Sequence, residues 1–208
     1  MKEERVLRLY DNIELRAENN EQYGNYISGL PIVFNASTDL GWYEETIDSH
    51  ALDNTDLKDV RFLVNHNTDM IPLARSRNNN TNSTMQLEVV PGAGMSIRVD
   101  LDTENNADAK SLWSAVGRGD ISGMSFMFTV DKDAWENIDS DHPTRHILSI
   151  SKVFEVSAVT FPAYAATSIQ QRGISDALDS ARESLESVKA AAAEIEKRKQ
   201  KIRILCEV

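Results

Sequence analysis

Three stretches of the chain hold side chains suited to chemistry. The first, Arg61-Phe62-Leu63-Val64-Asn65-His66-Asn67, is an alternating apolar run that ends in a polar loop, with His66 at the change. A histidine at such a place can be a partly exposed general base, since imidazole is the side chain whose ordinary pKa lies nearest neutrality. In the second, Ile121-Ser122-Gly123-Met124-Ser125-Phe126-Met127-Phe128, strand alternation puts Met124, Phe126, Phe128 and Val130 on one face. Gly123, Ser125 and Met127 fall on the other. Ser125 is thereby a small hydroxyl on a rigid element, turned from the main apolar face, beside a glycine that leaves room for a ligand. The third, Lys152-Val153-Phe154-Glu155-Val156-Ser157-Ala158-Val159-Thr160-Phe161-Pro162-Ala163-Tyr164, is apolar on both faces, as a central strand is. Glu155 lies between Val153 and Val159 in that pattern. A carboxylate there is costly unless paired or hydrogen-bonded, so it sits at a polar opening or has a partner such as His66 or Arg145. Ser157 shares its face and is a rival nucleophile.

Each of these residues also has a plain structural reading: a small strand serine, a surface histidine, an Arg–Glu pair. The Gly-x-Ser-x-Gly elbow of many hydrolases is absent. Metal chemistry finds little support. His142 and His146 are four apart, but Pro143 between them argues against the helix that would align them, and there is no His-Glu-x-x-His. The single cysteine, Cys206, excludes an intrachain disulfide and argues against a cysteine-based zinc site. The reading therefore expects no metal and no cofactor.

The elements that must position these residues are mostly strands. Val6–Tyr10, Tyr26–Phe34, Val60–Val64, Met95–Leu101, Ile121–Val130 and Ile147–Phe161 all read as strands, broken by loops rich in Asn, Gly and Pro. Residues 107–117 predict a helix with Leu112, Ala115 and Val116 on one face and Gly117 or Gly119 at its end. Roughly seven strands around one helix make the chain mainly β, a mostly antiparallel sheet or barrel with helices outside. From Ile174 the composition changes. Ile174, Leu178, Ala181, Leu185, Val188, Ala192 and Ile195 recur at spacings of 4, 3, 4, 3, 4 and 3, a heptad seam. Such a helix either packs its stripe on the main domain or serves as a coiled-coil tail. The expected division is residues 1–172 for the main domain and 173–208 for the helix.

The 208 residues suffice for one sizeable core. With 22 basic against 33 acidic residues the net charge is −11, which argues against gripping nucleic acid. No apolar run reaches the roughly 18 residues of a membrane span, and Met1-Lys2-Glu3-Glu4-Arg5 does not begin a signal peptide. The chain reads as soluble and intracellular.

Taken in order, several segments resemble the prohead (capsid maturation) proteases of tailed bacteriophages. They are Gly29-Leu30-Pro31-Ile32-Val33-Phe34-Asn35, Glu45-Thr46-Ile47, Val64-Asn65-His66-Asn67 with Pro72-Leu73-Ala74-Arg75, Gly119-Asp120-Ile121-Ser122-Gly123-Met124-Ser125-Phe126, and Glu155 to Tyr164. The resemblance covers about residues 20 to 172. It implies a serine endopeptidase related in fold to the herpesvirus assembly proteases, a closed barrel of about seven strands surrounded by helices, with the C-terminal helix added. It matches Ser125 to the family nucleophile, His66 to its base and Glu155 to the third member, with His146 as the fallback, and offers Arg145 or Arg172 as oxyanion helpers. It further implies that the substrates are the scaffold or the scaffold portion of the capsid subunit, and finally the protease itself. The expected setting is the host cytoplasm, inside the assembling prohead, with self-association, and with neither nucleic acid nor membrane as a partner. The alternative is an inactive assembly or scaffold-binding protein on the same fold.

Overall fold

The computed structural model describes residues 6–10, 15–160 and 170–206, with the side chains of 15–160 and 178–200. Among them are eleven strands: β1 (Val6–Tyr10), β2 (Arg16–Asn20), β3 (Gly24–Val33), β4 (Thr38–Asp39), β5 (Glu44–Ile47), β6 (Asp59–Val64), β7 (Ala74–Arg77), β8 (Met85–Val90), β9 (Gly94–Asp100), β10 (Gly123–Glu136) and β11 (Thr144–Val159). Two helices complete them, α1 (Ala107–Arg118) and α2 (Gln170–Cys206).

The strands form two open sheets, one of seven strands and one of four in the order β2-β3-β9-β8. The larger sheet is built on β11, whose sixteen residues are long enough to take two parallel partners end to end. Residues Thr144–Ile147 pair with β5, and Glu155–Ala158 pair with β6. Along its other side β11 runs antiparallel to β10, which in turn pairs with β1. The expected closed barrel is therefore wrong. Closure needs the end strands of one sheet to join, and here the path β1-β10-β11-β5-β4 ends without doing so, while the smaller sheet keeps its own edges. Periodicity tells which face of a strand is buried but not which strand lies next to it. Nor do helices surround the strands, since two are present among the described residues.

The core lies where the apolar faces of both sheets meet. Alternation on β9 buries Met95, Ile97 and Val99. β3 adds Ile27 and Ile32, and the larger sheet adds Phe62, Met124, Phe126, Phe128 and Val156. Gly94 is required where β9 meets β3: its φ is +149°, and a Cβ there would stand 1.8 Å from the Ile32 carbonyl oxygen.

α1 follows its sequence signals. The Asn106 side chain caps it by accepting from the N–H groups of Asp108 and Ala109, and Gly119 ends it with φ +78°. Leu112 and Val116 are buried together with Ala109. α2 divides in two. Ala181 and Leu185 are buried against Tyr43 and Trp135, whereas Val188 is 36% and Ile195 54% exposed. The first part of the seam thus packs on the body of the protein, and the later part does not.

Candidate active site

β6 ends at Val64, and the chain turns at once through two residues in the left-handed region, Asn65 (φ +51°) and His66 (φ +55°). That conformation costs most residues about 1–3 kcal/mol and persists only where neighbours hold it. Here they do. The Asn65 N–H donates to the Ala158 carbonyl at 2.9 Å, its side-chain amide donates to Thr160 Oγ1 at 3.0 Å, and its Oδ1 accepts from the Thr160 N–H at 2.9 Å. The end of β6 is thereby fastened to the end of β11, and the turn carries the His66 ring back to β10 and β11.

On those strands the register does the rest. Ser125 and Ser157 are direct partners across the β10–β11 ladder, so their side chains share a face. Glu155, two residues before Ser157, is on that face as well. The register is regular as far as Glu155 and a bulge follows: Met127 pairs with Glu155, but Phe128 pairs with Val153, which leaves Phe154 as the extra residue. The bulge inverts the alternation and sends Val153 to the core beside Val156. The even pattern expected from sequence, with Val153 and Glu155 on one face, is therefore broken at Phe154.

Three expected residues come together. His66 Nδ1 is 2.5 Å from Glu155 Oε1, and His66 Nε2 is 2.6 Å from Ser125 Oγ. Ser157 closes the arrangement: its hydroxyl donates to Glu155 Oε2 at 2.5 Å and accepts from the His66 main-chain N–H at 3.1 Å. Glu155 thus accepts one bond at each oxygen and is compensated for its burial. Ser125 and Ser157 are both 0% exposed, and the His66 side chain is 7% exposed. Within hydrogen-bond reach, a hydroxyl, an imidazole and an orienting carboxylate form the arrangement that activates a serine for attack on a carbonyl.

Other expected residues lie elsewhere. Arg145 is ten positions from Glu155 on the same strand, about 33 Å at the usual rise. It is buried and donates to Asp133 Oδ2 at 2.6 Å, with Glu45 Oε2 at 3.5 Å. It is therefore neither the partner of Glu155 nor an oxyanion helper. His146 is next to it and hydrogen-bonds Thr46 Oγ1 at 2.8 Å, so it does not substitute for Glu155. The side chain of Arg172 and the segment Phe161 to Tyr164 fall outside the described residues. Ser157, expected as a rival nucleophile, binds the carboxylate instead. The Asn65–Thr160 clamp was not foreseen; its only sequence signal is asparagine's tolerance of the left-handed region.

Among the described residues, no group of three or more His, Cys, Asp or Glu is placed to hold a metal ion, and no helix is long and apolar enough to cross a membrane. A family model described as caudovirus prohead serine protease matches residues 11–180. No curated protein and no solved structure gave a significant match.

Proposed function

Since the chain belongs to the caudovirus prohead serine protease family, we propose that it is a serine endopeptidase whose nucleophile is Ser125, with His66 as general base and Glu155 as the carboxylate that orients it. The observation that carries this reading is the continuous chain of hydrogen bonds from Ser125 Oγ through both nitrogens of His66 to Glu155.

In the proposed reaction the Ser125 hydroxyl gives its proton to His66 Nε2 as Oγ attacks the scissile carbonyl. His66 then returns that proton to the leaving amine; in the second half water gives a proton to His66 Nε2 as its oxygen attacks the acyl carbonyl, and Ser125 Oγ leaves, taking that proton back and freeing the acid. Glu155, accepting from Nδ1–H, fixes the tautomer that leaves Nε2 free to act as a base and steadies the imidazolium. Because Ser125 is fully covered in this state, a substrate has to displace part of that cover before its carbonyl reaches Oγ.

The proposed substrates are the internal scaffold or the scaffold portion of the capsid protein, and the protease itself. The proposed setting is the assembling prohead in the host cytoplasm, where the exposed later part of α2 is available for self-association. The test is to express the wild type and Ser125→Ala side by side with the cognate capsid or scaffold protein and follow fragments by intact mass. Cleavage by the wild type alone is expected. Cleavage by both would end the assignment of Ser125, and cleavage by neither would favour an inactive assembly protein.

A further inference from the structure

The turn that carries His66 is closed by one main-chain bond. The Val64 carbonyl accepts from the Asn67 N–H at 3.1 Å, and the two residues between them, Asn65 and His66, have φ +51° and +55°. A four-residue turn with both central φ positive belongs to the type I′ class, which favours Asn at its first central position and Gly at its second. Asn65 suits the first. His66 occupies the second, where a side chain with a Cβ has to be held against the preference of its own backbone.

The pairing of β6 with β11 ends at Val64 and Ala158, one residue before this turn. Past that point the Asn65 side chain continues the link. Its amide donates to Thr160 Oγ1 at 3.0 Å while its carbonyl oxygen accepts from the Thr160 N–H at 2.9 Å. An amide offers a donor and an acceptor side by side, so it can meet a hydroxyl and a main-chain N–H of one residue at once. Two net hydrogen bonds are comparable with the cost of one left-handed residue, so losing both removes much of what offsets that cost. The strand gripped in this way is the one that bears Glu155 and Ser157, both bonded to His66. The clamp therefore fixes the base against its carboxylate.

Resting on the serine-protease reading, we infer that Asn65 is a positioning residue for His66, acting through its two side-chain bonds to Thr160. Without them the turn is free to relax toward negative φ, which redirects the imidazole away from Ser125 Oγ and Glu155. The role of Asn65 is thus more than tolerance of an unusual backbone conformation, which a glycine would supply equally well.

The experiment compares the full-length wild type with Asn65→Gly, Thr160→Val and Thr160→Ser, using the cognate capsid or scaffold protein as substrate and Ser125→Ala as the blank. Glycine takes positive φ at no steric cost but cannot reach Thr160, so it separates the turn from the clamp. Asn65→Gly should lower kcat by about ten- to a hundredfold, as a misplaced catalytic group does, with KM little changed. Thr160→Val should lie between it and the wild type, and Thr160→Ser, which keeps the hydroxyl, should recover kcat. Asn65 and Thr160 both line the cleft beside His66, so a role in holding substrate would appear in KM instead. A second readout needs no substrate: the proton that His66 Nδ1 shares with Glu155 should give a proton NMR line downfield of the amides. That line should be absent from His66→Ala and broadened or lost in Asn65→Gly. Wild-type kcat with an unaltered line in Asn65→Gly, or a loss confined to KM, would overturn the inference alone. If Asn65→Gly lowers Tm markedly, the pair at the exposed Thr160 decides, and equal kcat in Thr160→Val and Thr160→Ser would overturn it. Absence of cleavage by the wild type, or cleavage unaltered in Ser125→Ala, would overturn the protease reading and this inference together.

Discussion

Ser125 and Ser157 face each other across the β10–β11 ladder, yet they are bonded to different ends of one histidine. The Ser125 hydroxyl meets the imidazole at Nε2, while Ser157 meets the main-chain N–H of His66 and the carboxylate of Glu155. Two hydroxyls of the same type are thus given separate tasks by the turn at Asn65–His66. On the proposed reading, Ser157 holds the geometry in which Ser125 would react. On this basis Ser157→Ala should slow cleavage by about ten- to a hundredfold, as 1–3 kcal/mol of lost hydrogen bonding at a buried site implies. Ser157→Thr keeps the hydroxyl and should recover much of the loss in kcat. If Ala and Thr are equally impaired, the hydroxyl is not what matters. A phosphonate adduct on Ser157 would instead restore it as the nucleophile.

Removing His66 or the hydrogen-bond pattern of Glu155 tests the relay from the other side. His66→Ala should reduce kcat by on the order of 10⁴, with little change in the fold. Glu155→Gln keeps the shape but can present an amide N–H to Nδ1, which favours the tautomer with its proton on Nε2. A large fall in kcat with an intact melting transition is expected. Cleavage at the wild-type rate would reduce Glu155 to a packing role, and unfolding would make it a structural pair.

The faces of the strands were legible from sequence, but their neighbours were not. Alternation in Gly123–Phe128 correctly separated Ser125 from Met124, Phe126 and Phe128, because side-chain direction is a local property of a strand. His66 was placed at the end of its strand for the same reason. The partner of Glu155 stayed open between His66 and Arg145, since the pairing of β6 with β11 joins residues about ninety positions apart. The bulge at Phe154 was hidden because one extra residue leaves no mark in an apolar run. Barrel closure failed for a related reason: strands such as β4, with two residues, and β5, with four, carry too few residues for a period to show.

Mild acid should loosen the strands that carry His66. Arg75 hydrogen-bonded to Asp59 holds that carboxyl below its usual value of 3.8, and Lys152 does the same for Asp56. A carboxyl whose pKa is depressed by folding contributes stability above 3.8, and that contribution is lost as the pH falls through 3.8 toward the folded value. Asp59 joins β6 to β7 through Arg75 Nε at 2.6 Å, with both side chains more than a third exposed. Solvent screening keeps the contribution of such a pair small. Asp59→Asn should therefore lower Tm slightly at pH 7, and the gap from wild type should close below about pH 3.8. A gap that stays constant from pH 7 to pH 3 would contradict this.

α2 should behave as two segments with different consequences when removed. Trp135 Nε1 donates to Ser184 Oγ at 3.0 Å, and Ser184 donates to Asp133 Oδ2 at 3.0 Å, which also receives Arg145 Nε. With Ala181 and Leu185 buried beside Tyr43 and Trp135, this fastens the helix to β10 and to the residues before β5. Deleting 174–208 uncovers those aromatic rings, so it should lower Tm as well as alter association; Leu185→Ala alone should cost about 2 kcal/mol or more. Ending the chain at Ser187 keeps every one of these contacts and removes the exposed Val188 and Ile195. That shorter protein should melt like wild type and cleave like wild type, and sedimentation should show reduced self-association. If it melts like the longer deletion, the helix is one cooperative unit and its later half contributes to the fold.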